Sequence, residues 1–193
     1  MDRTVKILAL AGSYRRGSFN QALVAAARED APENVDFREF DLREVPFYDR
    51  DVEEAGVPDD VERLRVAVRD ADALLLVTPE YNSGIPAVLK NGIDWSSRVY
   101  PEAPISGKLV AIMGATPGRK GTKAAQDQLR MVFGRTGAVL IEGPELMVAG
   151  AGDLIENGRV QSEELRSRIR ALVEALVSAV EHCNDQGSAS VVM

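Results

Sequence analysis

The chain has one cysteine, Cys183, and one histidine, His182, in 193 residues. A lone thiol excludes an internal disulfide, a paired-cysteine redox centre and a cysteine-ligated iron–sulfur cluster. With a single imidazole besides, there is almost no raw material for a zinc site or for Ser-His-Asp or Cys-His catalysis. Basic residues are outnumbered: 23 Lys+Arg against 30 Asp+Glu give a net charge of −7. No basic stripe appears, which argues against a nucleic-acid partner, whose phosphates demand facing cations. No apolar run approaches the roughly 20 residues that cross a bilayer, and Met1-Asp2-Arg3-Thr4 has no leader pattern. A cytoplasmic protein with no membrane partner is therefore expected.

What is present is a regular alternation. Apolar stretches at 5–11, 35–40, 73–78, 108–113 and 138–142 read as strands. Several, such as Ala73-Leu74-Leu75-Leu76-Val77, are apolar on consecutive positions, which suits strands covered on both faces of a parallel sheet. Amphipathic segments at 18–30, 59–71, 84–97, 120–136 and 162–182 separate or follow them. In the last, Leu165, Ile169, Leu172, Val173, Leu176, Val177 and Val180 recur at helical steps, and Ser162 with Glu163 and Glu164 gives a capped, dipole-matched start. Five such units predict one doubly wound α/β domain over 1–183 with strand order 2-1-3-4-5, followed by a flexible polar tail over 184–193.

In a sheet of that order, ligands bind beyond the carboxyl ends of the strands near the switch point. The loops after strands 1, 3 and 4 should meet there, and they read GSYRRGSFN (12–20), PEYNSGIP (79–86) and GATPGRKG (114–121). The first lacks the glycine spacing of a dinucleotide site and the lysine of a triphosphate loop. Its Ser13, Ser18, Asn20 and main-chain N–H groups at a helix start suit one terminal phosphate, with Arg15 adding charge. The structural alternative is that Ser18 simply caps the helix and the arginines are solvated. In the second loop, Tyr81 beside Asn82, Ser83 and Gly84 suits a flat heteroaromatic ring with polar edges; alternatively the segment is an ordinary turn. The third, around Thr116, Pro117 and Gly118, would flank the ring from the other side or serve as a plain strand-to-helix turn.

GSYRRGSFN, PEYNSGIPAVLKNGIDW and the glycine-rich GATPGRKGT before a Gln-Leu-Arg helix together resemble the NAD(P)H-dependent FMN reductase family, flavodoxin-like enzymes that include quinone, azo-dye and chromate reductases. The likeness runs from about residue 5 to 180, with order and spacing kept. It implies a flavodoxin-like three-layer sandwich with a five-stranded parallel sheet and non-covalent FMN. The phosphate would be held by residues matching Ser13, Arg15, Ser18 and Asn20, with Phe19 alongside, and the ring bordered by those matching Pro79, Glu80, Tyr81, Asn82, Ser83 and Gly84. Thr116 and Gly118 would complete the pocket, although Thr116-Pro117 departs from the serine- and glycine-rich form of the family's third loop. Glu44 to Asp49 resembles the family's segment after strand 2, which approaches a neighbouring subunit.

The resemblance also resolves the shortage of acids and bases. Flavin carries hydride without a protein nucleophile, so no catalytic side chain is required, and the protein supplies position, polarity and exclusion of water. The expected activity is a ping-pong reduction of quinones, azo dyes, chromate or free flavin at the expense of NADPH or NADH. The main rival is a flavodoxin-like FMN electron carrier serving protein partners, and a second is a flavin-free regulatory or scaffold domain that keeps only the fold. A homodimer or homotetramer is expected from Phe47-Tyr48 and the apolar stretch Leu146-Met147-Val148-Ala149. Lys90, Asn91, Asp94 and Trp95 read as structural, His182 as a helix C-terminal cation or satisfied surface residue, and Cys183 as a small packed side chain or incidental thiol.

Overall fold

The computed structural model describes residues 3–98 and 102–189, the side chains of 185–189 excepted. Strand β1 (Val5–Ala11) is apolar at every position but Lys6, and its side chains are buried on both faces. It pairs in parallel with β2 (Val35–Phe40) on one side and with β3 (Ala73–Val77) on the other, placing Ile7 between Phe37 and Ala73 and Ala9 between Glu39 and Leu75. β4 (Leu109–Ala115) extends the sheet beyond β3, and β5 (Val139–Leu140) closes it, giving the order β2-β1-β3-β4-β5.

Because side chains alternate across a strand, each strand feeds two cores. Ile7, Ala9, Ala11, Leu75 and Val77 pack on the face covered by α1 (Phe19–Glu29) and α6 (Glu163–Ala189). Leu8, Leu10, Leu74 and Leu76 pack on the opposite face with α3 (Asp59–Asp70), α4 (Ala87–Ser96) and α5 (Lys123–Thr136). This is the flavodoxin-like three-layer sandwich. Each fully buried leucine contributes on the order of 1.5–3 kcal/mol relative to exposure.

Four features depart from the sequence expectation. The edge strand is in two pieces: after β5 the chain leaves the sheet at Gly143-Pro144 and returns as β6 (Leu146–Val148), which pairs with Met113–Ala115 of β4. Proline has no N–H for a ladder, so an edge position is where the sheet tolerates it. Leu146 and Val148 are thereby buried in the core, which removes that stretch as a reason to expect association between copies. A short helix α2 (Arg50–Ala55) and a hairpin, β7 (Ile155–Glu156) with β8 (Arg159–Val160), were not anticipated. Finally, α6 continues to Ala189 rather than ending at 182. His182 is therefore inside the helix, its Nδ1 2.7 Å from the Ser178 carbonyl, and Cys183 is exposed rather than packed. Residues 190–193 of the expected tail lie outside the described residues.

Candidate functional site

The carboxyl ends of β1, β3 and β4 lie side by side, and the three loops that leave them enclose a pocket of about 280 Å³. Ser13, Arg15, Ser18, Phe19 and Asn20 line one side, Pro79, Glu80 and Tyr81 a second, and Ala115, Thr116 and Pro117 a third. Asn82, Ser83, Gly84 and Gly118 do not line it. Ala115 and Pro117, members of the third loop to which no individual contact was assigned, do line it; a small apolar residue and a proline give no chemical signal in sequence.

Close approach of the first two loops requires Gly12. A Cβ there would meet Pro79 Cδ and Pro86 Cγ at 3.1 Å, tighter than ordinary contact. Beyond Gly12, whose N–H reaches the Val77 carbonyl, the N–H groups of Ser13, Tyr14, Arg15, Arg16 and Gly17 have no acceptor among the described residues. Ser18 then caps α1: its backbone is extended and its Oγ accepts from the Gln21 N–H at 3.4 Å. Ser18 and Ser13 are both buried, and Arg15 is exposed with its guanidinium 5.0 Å from the Phe19 ring centroid. The loop is therefore a concave set of main-chain donors and hydroxyls at a helix start, the arrangement that favours an anion.

Asn20 is used differently from the expectation. It is 3% exposed, its Nδ2 donates to the Ala115 carbonyl and its Oδ1 accepts from the Ala115 N–H, both at 2.9 Å. This reciprocal pair makes the amide a strut between the start of α1 and the end of β4. One N–H of Nδ2 remains for a ligand. Tyr14 is likewise internal: its hydroxyl accepts from the Leu42 N–H at 2.9 Å and donates to the Phe40 carbonyl at 3.3 Å, tying the loop to the end of β2. Burial pushes the Tyr14 phenol up to about 12, against the opposing effect of the Leu42 bond.

The second loop is a two-residue hairpin. Tyr81 and Gly84 exchange both main-chain bonds, at 3.1 and 3.0 Å, while Asn82 and Ser83 hold φ of 51° and 60°. Positive φ at both central residues is the geometry that asparagine tolerates and serine resists. The hairpin turns Asn82 and Ser83 out to solvent and sends Tyr81 back across the pocket, where its hydroxyl lies 3.3 Å from Ser13 Oγ and the residue is 49% exposed. Glu80 also has a protein partner. Its Oε2 accepts from the N–H groups of Ala124 and Ala125 at 2.8 and 3.2 Å, capping α5, which has no cap of its own from Thr122. A carboxylate at a helix N-terminus is favoured by the dipole.

The third loop is pinned from below. Thr116 N–H donates to the Val148 carbonyl at 3.0 Å, Thr116 Oγ1 accepts from the Gly118 N–H at 3.3 Å, and Gly150 N–H reaches the Gly118 carbonyl at 3.1 Å. Beside the site, α4 holds the segment after β2. Asn91 Oδ1 accepts from the Tyr48 N–H at 2.8 Å, its Nδ2 donates to the Pro46 carbonyl at 2.9 Å, and Trp95 Nε1 donates to the same carbonyl at 2.8 Å. Tyr48 packs edge-on against Trp95 with centroids 4.9 Å apart, which leaves Phe47 presented to solvent at 77% exposure. Lys90 and Asp94 form an i,i+4 pair at 2.6 Å, so all four of these α4 residues are structural.

A parallel sheet of this order with a pocket at its switch point defines a flavodoxin-like architecture. The family model described as NADPH-dependent FMN reductase matches residues 5–153, and the chain belongs to this family, whose enzymes use a nicotinamide nucleotide with FMN. It is 40% identical over 177 residues to an NAD(P)H-dependent FMN reductase of Pseudomonas aeruginosa, covering 91% of this chain and 95% of that one. It is 36% identical over 171 residues to a 2-hydroxy-1,4-benzoquinone reductase of Burkholderia, covering 88% and 93%. Among solved structures it superposes on the NAD(P)H:(acceptor) oxidoreductase FerB of Paracoccus denitrificans with a TM-score of 0.83 and 30% identity, over 92% of this chain and 98% of that one.

Proposed function

We propose that the pocket holds FMN, that NADPH or NADH reduces it, and that a quinone or similar small acceptor is reduced in turn. The observation that carries the reading is the row of free N–H groups from Ser13 to Gly17, with buried Ser13 and Ser18 beneath it. Neutral donors at a helix start, with Arg15 at the rim, fit a single phosphate monoester rather than a bridged triphosphate. The ring would lie between the Pro79–Tyr81 wall and the Ala115–Pro117 wall. When bound, FMN supplies hydride transfer between nicotinamide and acceptor. The protein's part is to grip the phosphate, to hold the ring's edges against rigid main chain, and to exclude water on the buried side. Tyr81 must give up its contact with Ser13 Oγ to admit the ligand, and it is free to do so because the rest of the side chain is half exposed. Nucleotide and acceptor then take the same open side alternately, a ping-pong order, in the cytoplasm.

We also propose that the protein works as a homodimer or homotetramer, because Phe47 is held outward by a buried hydrogen-bond network rather than left on a loose loop. Light scattering that gave a monomer mass at micromolar concentration would remove this part. For the activity, FMN-loaded protein is mixed anaerobically with each nucleotide. Rapid bleaching followed by re-oxidation with a benzoquinone supports the reductase, whereas a yellow protein inert to both nucleotides indicates the electron carrier. Protein that takes up no FMN defeats the site assignment.

A further inference from the structure

We infer that Arg119 and Lys120 make this enzyme prefer NADPH to NADH by receiving the 2′-phosphate of the adenosine half. The inference rests on the FMN reading above. The chain is acidic overall, with a net charge of −7, and most of its described arginines and lysines lie against a carboxylate. Arg119 and Lys120 are exposed and have no such partner among the described residues. Unpaired cations in an acidic protein create a local positive field that both steers and holds an anion.

Their position sets which anion. Arg119 follows Pro117, a lining residue, by two positions, so their Cα atoms lie within about 7 Å of each other. With FMN in the pocket as proposed above, a nicotinamide reaches it only from the open side, and the adenosine half of the nucleotide then lies outside on the rim. NADPH and NADH differ there by one phosphate carrying about −1.5 to −2 charge, and only a rim cation can sense the difference. On the side of the third loop the other donors are occupied, and the exposed Arg16 lies with Arg15 on the first loop across the pocket. Lys123 is paired with Asp127 at 2.6 Å, and the first N–H groups of α5 are capped by Glu80. Arg15, stacked on Phe19, belongs to the phosphate loop on the opposite wall. The stem carrying Arg119 and Lys120 is fixed by the bonds from Thr116 to Val148 and from Gly150 to Gly118, so the two side chains project from a rigid base.

The test compares FMN-loaded wild type with Arg119→Ala/Lys120→Ala, both sites being exposed and unpartnered, so that folding is unaffected. The variant is expected to lose about 10- to 100-fold in kcat/KM for NADPH, in KM rather than kcat, with NADH changed less than about twofold. Independently of turnover, calorimetry should show adenosine 2′,5′-bisphosphate binding wild type more tightly than AMP, and the variant binding both alike. The wild-type preference should shrink with added salt, as exposed ion pairs do. Equal losses for both nucleotides, an unchanged preference, or no discrimination between the two adenosine phosphates overturns the assignment while leaving the FMN reading intact. Wild-type protein that takes up no FMN, or is reduced by neither nucleotide, overturns both.

Discussion

Asn20 gives the sharpest test of how the site is built. Replacing it with alanine leaves the N–H and carbonyl of Ala115 without the partners they now have at 2.9 Å, at a position only 1% exposed. Each buried main-chain group left unsatisfied costs about 1–3 kcal/mol, and water entering from the pocket would recover part of that, so a net loss of about 2–4 kcal/mol is expected. For a chain of this length each kcal/mol is worth about 2–4 °C, so thermal unfolding should move down by about 4–16 °C. The assay is urea denaturation of FMN-free protein followed by far-ultraviolet circular dichroism, with calorimetry as a second probe. Asn20→Asp serves as a companion: it can still accept from the Ala115 N–H but brings a carboxylate oxygen against the Ala115 carbonyl, and should be no better than alanine. If Asn20 acted chiefly as a phosphate donor, FMN affinity would fall while the FMN-free protein kept its stability. A loss below about 0.5 kcal/mol in Asn20→Ala would therefore refute the strut.

Glu80→Ala should destabilise the FMN-free protein by about 1–2 kcal/mol by uncapping α5, and Glu80→Gln by less, since an amide oxygen still accepts from Ala124 and Ala125; equal stability of all three in urea would show that the cap is idle. Gly114→Ala should fail to give folded protein or lose about 3 kcal/mol or more, because its Cβ would overlap the Thr78 carbonyl and come within 2.5 Å of Thr122 Oγ1, whereas Gly134→Ala, facing open space in α5, should gain about 0.5–1 kcal/mol; circular dichroism and unfolding midpoints distinguish the two. Glu53 is partly desolvated, which alone would raise its pKa, but hydrogen bonds from Arg65, Tyr48 and Arg98 outweigh this and hold the carboxyl below its usual range. Such a group stabilises the fold above its unfolded pKa of about 4.3 and loses that contribution as pH falls. Unfolding free energy should therefore drop more steeply between about pH 5 and 3 in wild type than in Glu53→Gln, and parallel curves would contradict the network.

The fold was legible because the chemistry of a covered parallel sheet is written locally. Consecutive apolar residues at 7–11 and 73–77 suit a position between two layers of helix, and the crossover rules then leave one simple order. The broken edge strand was also written locally, at Pro144, as was the β7–β8 hairpin, whose Asn157-Gly158 turn has φ of 50° and 75°. Both were passed over because their strands are too short to show a period. That the three loops converge on one pocket was legible, but the duties of their side chains were not. Glu80 caps a helix 44 residues away and Asn20 braces a strand 95 residues away. No spacing pattern encodes such bonds, since they depend on which loops the topology brings together. Ser18, by contrast, has its partner three residues on, and its capping role could be read directly.

These duties explain why the loops combine so many polar side chains with so few free ones. If the first loop grips a phosphate as proposed, its main-chain N–H groups cannot also be satisfied internally, so it lacks the hydrogen bonds that ordinarily hold a loop in shape. Side chains supply the missing restraint from outside: Tyr14 to the end of β2, Ser18 to α1, Asn20 to β4 and Glu80 from the second loop to α5. The main chain is thereby held open before any ligand arrives, and the ordering entropy is lost on folding rather than on binding. It follows that substitutions at these positions should lower stability and FMN affinity together. Those at Arg15, which braces nothing beyond its own loop, should lower affinity alone.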